Sequence, residues 1–201
     1  MRVEDFIKRV RVRLKDEGAY KRYSDDEILA VLNQEQNIII YEFDMNVNYF
    51  SKEVNEEDNT LSLPKVMLKV VHSKLDNKAL KLKNFKEHIT NADTSLHLIS
   101  YANMQVVGVV PKQRARGLLE LWANLCVFHN DLNEELFAND LFVNLLLYGC
   151  LRTLLQAENS QASLQKLAYY EALYKKELAS LKDINSRVKE ENVFYSKVNK
   201  V

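Results

Sequence analysis

Few residues of this 201-residue chain have the types and spacing that catalysis or metal binding requires. Neighbouring carboxylates such as Glu134 and Glu135 are common and indicate acid–base chemistry only beside a pocket. Four glycines in total leave no glycine-rich loop for a phosphate. The four histidines match neither H-E-x-x-H nor a comparable metal-ligand spacing: His72, His88, His97 and His129. We therefore predict no catalytic residue, no metal site and no cofactor, and we do not expect an enzyme.

The two cysteines and the apolar segments indicate where the protein is made. Cys126 and Cys150 lie far apart in apolar stretches without a C-x-x-C motif, so we expect two buried thiols that act as small hydrophobic side chains. The N-terminal stretch carries a charge every few residues and lacks the apolar core of a secretory signal. Residues 141–151, the longest apolar-rich run, have about half the length of a membrane span. We expect a soluble protein made in a reducing cytoplasm, with no membrane partner.

The charges balance overall but are unevenly distributed along the chain. Lys and Arg together number 28, as do Asp and Glu. The first 22 residues are mainly basic, residues 23–60 carry ten acidic residues and one lysine, and residues 61–90 carry seven lysines and two acidic residues. Such blocks are either solvated faces or complementary surfaces through which copies of one protein associate. A net charge of zero argues against a dedicated nucleic-acid-binding domain, which is usually basic.

The most basic short segment is PKQRARG at residues 111–117, between two strand candidates. We predict that Lys112, Arg114 and Arg116 lie at the tip of a β-hairpin. A basic tip is either a solubilising loop or a contact with phosphate or with an acidic neighbour.

Several signals for the start of a helix coincide at residues 22–36, RYSDDEILAVLNQEQ. Ser24 and Glu27 have the spacing of a capping box, in which each side chain binds the backbone N–H of the other residue. Tyr23 and Ile28 occupy the two positions of a hydrophobic staple. The sequence therefore predicts a helix that begins at Ser24.

The remaining elements form three zones, which together predict a mixed α+β fold. Apolar periodicity predicts a first helix with Lys8, Arg9, Arg11 and Arg13 on its solvent surface. Residues 51–60 are almost devoid of apolar residues and predict a solvated loop. Short segments with alternating apolar and polar residues predict a small antiparallel β region, although residues 66–71 fit either a helix or a strand. The predicted bounds are helices at 3–16 and 24–45, a β region at 61–128, and helices at 138–157 and 160–184.

The end of the chain is predicted to differ from the rest. We expect residues 1–184 to form one domain, with Asn139 capping the first helix of a C-terminal helical hairpin. Apolar periodicity fades beyond residue 185, so residues 185–201 are predicted to form an extended tail. This tail holds apolar and basic side chains that it cannot bury by itself: Val193, Phe194, Tyr195, Lys197 and Val198.

The order of these elements resembles that of the head-to-tail adaptor proteins of tailed bacteriophages, also called connector or head-completion proteins. In that family a short first helix and a turn lead into a second helix that begins with an aromatic residue, Ser and acidic residues, followed by an Asn-x-x-Gln-like segment. The resemblance covers residues 3–182 in architecture and is close in sequence only at about residues 5–40. The matching positions are Tyr23, Ser24, Asp25, Glu27, Ile28, Asn33 and Gln36.

The resemblance implies a structural protein of the virion, made in the host bacterium. Such proteins form a ring, commonly of about twelve copies, that docks on the portal and extends the DNA channel toward the tail. The implied partners are the portal protein, a downstream tail or nozzle protein and the genomic DNA in the lumen. By this interpretation, residues 193–198 bind the portal, and Lys112, Arg114 and Arg116 face the lumen or the next tail component.

Two other classes of function remain open at this point. A DNA-binding or packaging accessory protein would use the PKQRARG segment and the arginine-rich first helix, and its binding would weaken steeply with salt. A small hydrolase would have to assemble its site from scattered residues.

Overall fold

The structure is a computed structural model that describes residues 1–83, 95–101, 103–158 and 160–198, with side chains as far as residue 187. This part of the chain contains four α-helices and eight β-strands, which confirms the predicted α+β class. The helices are α1 (Val3–Leu14), α2 (Asp25–Phe43), α3 (Val143–Gln156) and α4 (Gln161–Val198). The strands are β1 (Val47–Val54), β2 (Thr60–Ser62), β3 (Met67–Leu75), β4 (Lys78–Ala79), β5 (Leu82–Lys83), β6 (His97–Tyr101), β7 (Val106–Val110) and β8 (Gly117–Leu125).

Contacts between residues divide the chain into two compact units. Residues 1–39 and 127–201 form the first, which we call the helical unit. Residues 40–126 form the second, which we call the β unit. Along the sequence, the β unit therefore lies between the two segments of the helical unit.

The helical unit is built on the predicted apolar stripes of its helices. Burial of the α1 stripe follows the predicted helical periodicity, as does burial of Ile28, Leu32 and Ile39 in α2. Helix α3 is apolar on most of its surface and is buried on most of it, and it packs against both α1 and α4. The buried stripe of α1 consists of Val3, Phe6, Ile7, Val10 and Leu14.

Both ends of α1 are satisfied by backbone groups. The N–H groups of Val3 and Glu4 donate to the carbonyl oxygens of Glu134 (3.0 Å) and Leu132 (2.9 Å). At the other end Lys15 adopts a left-handed conformation, with a φ of 56°, and closes the helix. The helix therefore ends two residues before the predicted residue 16.

The β unit consists of two four-stranded sheets. The first sheet has the strand order β1-β8-β3-β4 and the second the order β2-β7-β6-β5. All neighbouring strands are antiparallel except β5 and β6, which are parallel. Buried side chains from both sheets form one hydrophobic cluster that includes Met67, Leu98, Val107, Leu119 and Leu121. The undecided segment 66–71 belongs to strand β3.

Two predictions in this region are wrong. Residues 51–54 belong to β1 rather than to a loop. Exposed and less exposed positions alternate along this strand, and Ser51 and Glu53 are polar because they occupy exposed positions. Residues 111–117 do not form a hairpin tip, because β7 belongs to the second sheet and β8 to the first. The segment contains a short 3₁₀ helix, Lys112–Arg114, and crosses from one sheet to the other.

The C-terminal pair of helices begins later in the sequence than predicted and also ends later. Helix α3 begins at Val143 rather than at 138, and Asn139 Oδ1 instead accepts the N–H of Leu141 (3.1 Å) in the preceding turn. Helix α4 does not stop at 184 but continues to Val198, where an extended tail is predicted. Residues 161–198 contain no glycine or proline, and an Asp183–Arg187 ion pair (2.7 Å) spans the predicted helix end.

Candidate functional site

The predicted capping box at the start of α2 is present. The Glu27 N–H donates to Ser24 Oγ (3.1 Å), and the Ser24 N–H donates to Glu27 Oε2 (2.7 Å). The Ser24 N–H and the Ser24 hydroxyl (3.0 Å) both donate to the Glu27 carboxylate, and these two bonds lower the pKa of Glu27. Tyr23 and Ile28, the predicted staple residues, are both buried. The direction in which α2 leaves the preceding turn is therefore set by local bonds.

A buried arginine ties this turn to α1, and sequence analysis misses it by placing Arg11 on the solvent surface. Arg11 Nη1 donates to Asp16 Oδ2 and to the Tyr23 carbonyl oxygen, both at 2.9 Å. Arg11 Nε donates to Asp25 Oδ1 (3.1 Å), and Nη2 also binds that oxygen. The side chains of Arg11 and Asp16 are 7% and 2% exposed. A charge so deeply buried is tolerated because carboxylates and a carbonyl oxygen surround it.

The same turn is also bound to the turn between α3 and α4. The Tyr23 hydroxyl lies 2.6 Å from Glu158 Oε1 and 3.0 Å from the Leu154 carbonyl oxygen. Arg22 Nη1 donates to Glu158 Oε1 (2.9 Å), and the Ser163 hydroxyl donates to the other oxygen. Hydrogen bonds from Ser163 and Tyr23 lower the pKa of Glu158, whereas burial and the Glu158 carboxylate raise that of Tyr23. We call Arg11, Asp16, Tyr23, Asp25 and Glu158 the helix junction.

Two asparagines of α2 fix the segment where the chain returns from the β unit. Asn37 exchanges hydrogen bonds with the backbone N–H and carbonyl of Val127, at 2.8 and 2.9 Å. Asn33 does the same with His129, also at 2.8 and 2.9 Å. The two amide groups thus replace the hydrogen bonds that a neighbouring strand would supply.

The histidines in the described ranges contact side chains or backbone groups of the fold. His129 is buried, with Nδ1 2.9 Å from Glu134 Oε2 and Nε2 3.2 Å from Gln36 Oε1. His97 Nδ1 lies 2.7 Å from the Ser95 carbonyl oxygen. His72 is exposed beside Trp122 on the first sheet. His88 is outside the described residues, within which no group of three or more His, Cys, Asp or Glu side chains could hold a metal ion.

A second buried carboxylate connects α2 with α3. Glu35 Oε1 accepts the Thr153 hydroxyl (2.7 Å), and Arg152 Nη2 lies 3.4 Å from Glu35 Oε2. A β-carbon at Gly149 would come within 2.6 Å of Glu35 Oε2, so this glycine gives the carboxylate room. The Arg152 guanidinium also lies 3.9 Å from the centre of the Tyr174 ring in α4. In the sequence, the only sign of this buried carboxylate is that Glu35 is a single acidic residue in a run of neutral polar and apolar residues.

The thiols of Cys126 and Cys150 are buried and unbonded, as predicted. Burial raises the pKa of Cys150 well above its ordinary value. Both side chains are buried among apolar neighbours and act as packing residues.

The basic segment 111–117 lies in the β unit beside acidic residues. Arg116 lines a cavity of about 620 Å³ together with Gln113, Glu56 and Glu57. Lys112 and Arg114 lie in the short 3₁₀ helix next to it. The residues predicted to bind the portal are in the last turns of α4, and their side chains lie outside the described part: Val193, Phe194, Tyr195, Lys197 and Val198.

An aromatic cluster on the outer face of the first sheet is also missed by sequence analysis. The Trp122 ring centre lies 4.8 Å from that of Tyr49 and 5.3 Å from that of His72. Lys74 Nζ lies 5.4 Å from the Trp122 ring centre and 2.9 Å from Glu120. The three rings come from β8, β1 and β3, so only the strand register brings them together.

No protein-family model matches the sequence, and no curated protein matches it. Across the part of the chain that the structure describes, none of the helices has the length and apolar content needed to span a membrane.

Proposed function

We propose that the protein is a head-to-tail adaptor of a tailed bacteriophage and a structural component of the virion. About twelve copies form a ring that docks on the portal, continues the DNA channel and joins the portal to a tail or nozzle protein. The protein is made in the bacterial cytoplasm and acts at the portal vertex. It has no catalytic role in this proposal.

The observation that carries the proposal is the helix junction. Arg11 joins α1 to the start of α2, while Tyr23 and Arg22 join that start to Glu158 in the α3–α4 turn. Three separate segments of the helical unit are therefore held at one point by charge-assisted hydrogen bonds, and those from Arg11 to Asp16 and to the Tyr23 carbonyl oxygen are buried. Such a joint makes the helical unit rigid under load, as a ring through which DNA passes requires.

The positions that carry the family resemblance supply further support, because most of them make identifiable bonds in the helical unit. Ser24 and Glu27 form the capping box, and Asp25 binds Arg11. Asn33 and Gln36 bind the backbone and the ring of His129. The motif is therefore a set of residues that hold the helices together.

Attachment to heads tests the proposal. Full-length protein is mixed with genome-filled, tail-less heads that carry a portal, and the heads are recovered by sedimentation and imaged. We expect a ring at the portal vertex. Absence of the protein from the recovered heads would contradict the proposal. Binding to free duplex DNA that weakens steeply with salt, without binding to heads, would instead favour a packaging accessory protein.

The end of α4 is the proposed portal-binding element. Replacing both Phe194 and Tyr195 with Ser removes about 1.5–3 kcal/mol of burial energy per side chain, repeated around the ring. We expect this variant to fold and to lose attachment to heads. The matched control replaces two polar residues of the same segment, Asn192 and Ser196, with Ala and should attach normally. Equal attachment of both variants would show that docking uses another surface.

A further inference from the structure

The helical unit contains a cavity whose lining is rich in positive charge. The cavity measures about 550 Å³, within the range of about 300–1,000 Å³ typical of binding pockets. Arg9, Arg13 and Lys15 line one side of it, from α1 and the residue that closes it. Asn144 from α3 and Tyr170 from α4 line the other side. We call this the cationic cavity.

The three positive charges have no partner among the described residues. Other basic side chains nearby are paired: Arg11 with Asp16, Arg22 with Glu158, and Lys8 with Glu4. No carboxylate in the described part of the chain lies within ion-pair distance of Arg9, Arg13 or Lys15. Three unpaired cations converging on a concave surface attract an anion.

The other residues that line the cavity indicate which kind of anion it binds. Asn144 and Tyr170 add neutral hydrogen-bonding groups, and Leu147 and Val12 add apolar surface. A mixture of Arg, Tyr and apolar side chains is typical of the centre of a protein–protein interface. A DNA duplex, by contrast, binds to basic residues spread along a surface that follows its backbone. The cationic cavity therefore suits an exposed acidic segment of a protein.

The chain has such a segment in the β unit, at residues 55–58, which we call the acidic loop. Asn55 Oδ1 accepts the N–H groups of Glu57 and Asp58, both at 2.9 Å, so the turn is preorganised. Asp58 is neutralised by Lys52 at 2.7 Å. Glu56 and Glu57 are exposed and make no ion pair with a described residue.

We propose that the cationic cavity of one copy binds the acidic loop of a second copy, with the Glu56 and Glu57 carboxylates accepting hydrogen bonds from Arg9, Arg13 and Lys15. This inference rests on the proposed function, because it identifies the contact between neighbouring copies in the ring. Because the contact joins two different surfaces, each copy uses its cavity toward one neighbour and its acidic loop toward the other. Repeating this contact from copy to copy closes a ring. Preorganisation of the loop lowers the entropic cost of the contact.

Charge reversal tests the proposal. Arg13→Glu and Glu57→Lys are made in the full-length chain, alone and together, and self-association is measured by sedimentation at about 50 mM salt, where charge screening is weak. We expect each single variant to weaken association at least about tenfold, because like charges then face each other. We expect recovery when the two single variants are mixed, and also in the double variant. The matched controls, Lys176→Glu and Glu135→Lys, reverse exposed charges of the helical unit that do not line the cavity and should associate like the wild type.

Three outcomes would overturn the proposal. The first is a wild-type chain that stays monomeric at about 50 mM salt. The second is single variants that associate like the wild type, and the third is a mixture of the two variants that does not recover self-association. Loss of duplex DNA binding in Arg13→Glu, with self-association unchanged, would assign the cavity to DNA instead. Normal head attachment by single variants with unchanged association would contradict this inference alone. A charge-dependent association without any attachment to heads would contradict the proposed function alone.

Discussion

Arg11 illustrates how a single buried charge can organise its surroundings. Its guanidinium donates to two carboxylates and to one backbone carbonyl oxygen, so its hydrogen-bonding capacity is largely used. Asp16 in turn accepts the N–H of Arg22 at 2.7 Å. Removing Arg11 would leave the Asp16 carboxylate, which is 2% exposed, without its closest positive partner, whereas Asp25 is partly exposed and stays solvated.

We predict that Arg11→Met lowers the free energy of unfolding by about 3–5 kcal/mol, because it leaves the buried Asp16 carboxylate without its partner. Urea denaturation of the full-length chain gives the measurement. The control is Lys8→Met on the same helix, which breaks an exposed pair with Glu4 (2.7 Å) and should cost far less, because water solvates both charges. Equal losses in the two variants would show that the burial of Arg11 has no energetic consequence.

Arg11 also shows what a sequence cannot reveal at this scale. The apolar residues of α1 repeat at helical spacing and are buried as predicted, but periodicity alone places Arg11 on the outside. Its burial depends on Asp16 and Asp25, which reach it only after the chain has turned between α1 and α2. The capping box needs no such information, since Ser24 and Glu27 are three residues apart.

At the scale of elements, the turn between α3 and α4 is attached to the start of α2 through ionised carboxyl groups. Glu158 and Asp25 have lowered pKa values, the first chiefly through Ser163 and the second chiefly through Arg11. A carboxyl group whose pKa is lower in the folded than in the unfolded chain stabilises the fold above the unfolded value. That contribution is lost as the pH falls through the folded-state pKa.

We therefore predict that stability falls as the pH drops below the ordinary values of 4.5 for Glu and 3.8 for Asp. Urea denaturation at a series of pH values measures the loss. Glu158→Gln should be less stable at neutral pH and should lose less stability on acidification, because one of the titrating groups is gone. The same acid dependence in this variant and in the wild type would show that Glu158 does not contribute to it.

Elements that are defined by interactions between residues close in sequence are predicted more accurately than elements that depend on residues far apart in sequence. Helices α1 and α2 are predicted to within two residues at each end, because their apolar stripes and the capping box of α2 are local. Strand β1 is partly missed, because its polar residues belong to an exposed sheet face that only the pairing with β8 reveals. The same reason explains residues 111–117, since no local signal tells that β7 and β8 belong to different sheets.

At the scale of the whole molecule, we propose that the basic segment 111–117 contacts DNA in the lumen or the next tail component of the assembled particle. We predict that replacing Lys112, Arg114 and Arg116 with Gln leaves attachment to heads intact but lowers the fraction of attached particles that join a tail and deliver DNA. The fraction of infectious particles among attached ones is the measurement. Removing three positive charges weakens contacts with DNA phosphates or acidic neighbours.

A matched triple variant controls for the change in net charge. Lys65, Lys78 and Lys81 are three exposed lysines of the same β unit, and their replacement with Gln removes the same charge. We expect this variant to behave like the wild type. If both triple variants give the same fraction of infectious particles, the segment has no special contact in the particle.

The insertion of the β unit into the helical unit has a consequence for how the protein folds during synthesis. The ribosome completes α1 and most of α2 first, and these helices must wait for residues 127–201 before the partners of Tyr23 and Asn37 exist. A 12-residue helix such as α1 is only marginally stable alone. The β unit, residues 40–126, is made in between and has its own hydrophobic cluster. We therefore expect residues 40–126 to fold first, and the two segments of the helical unit to fold together once residues 127–201 have been made.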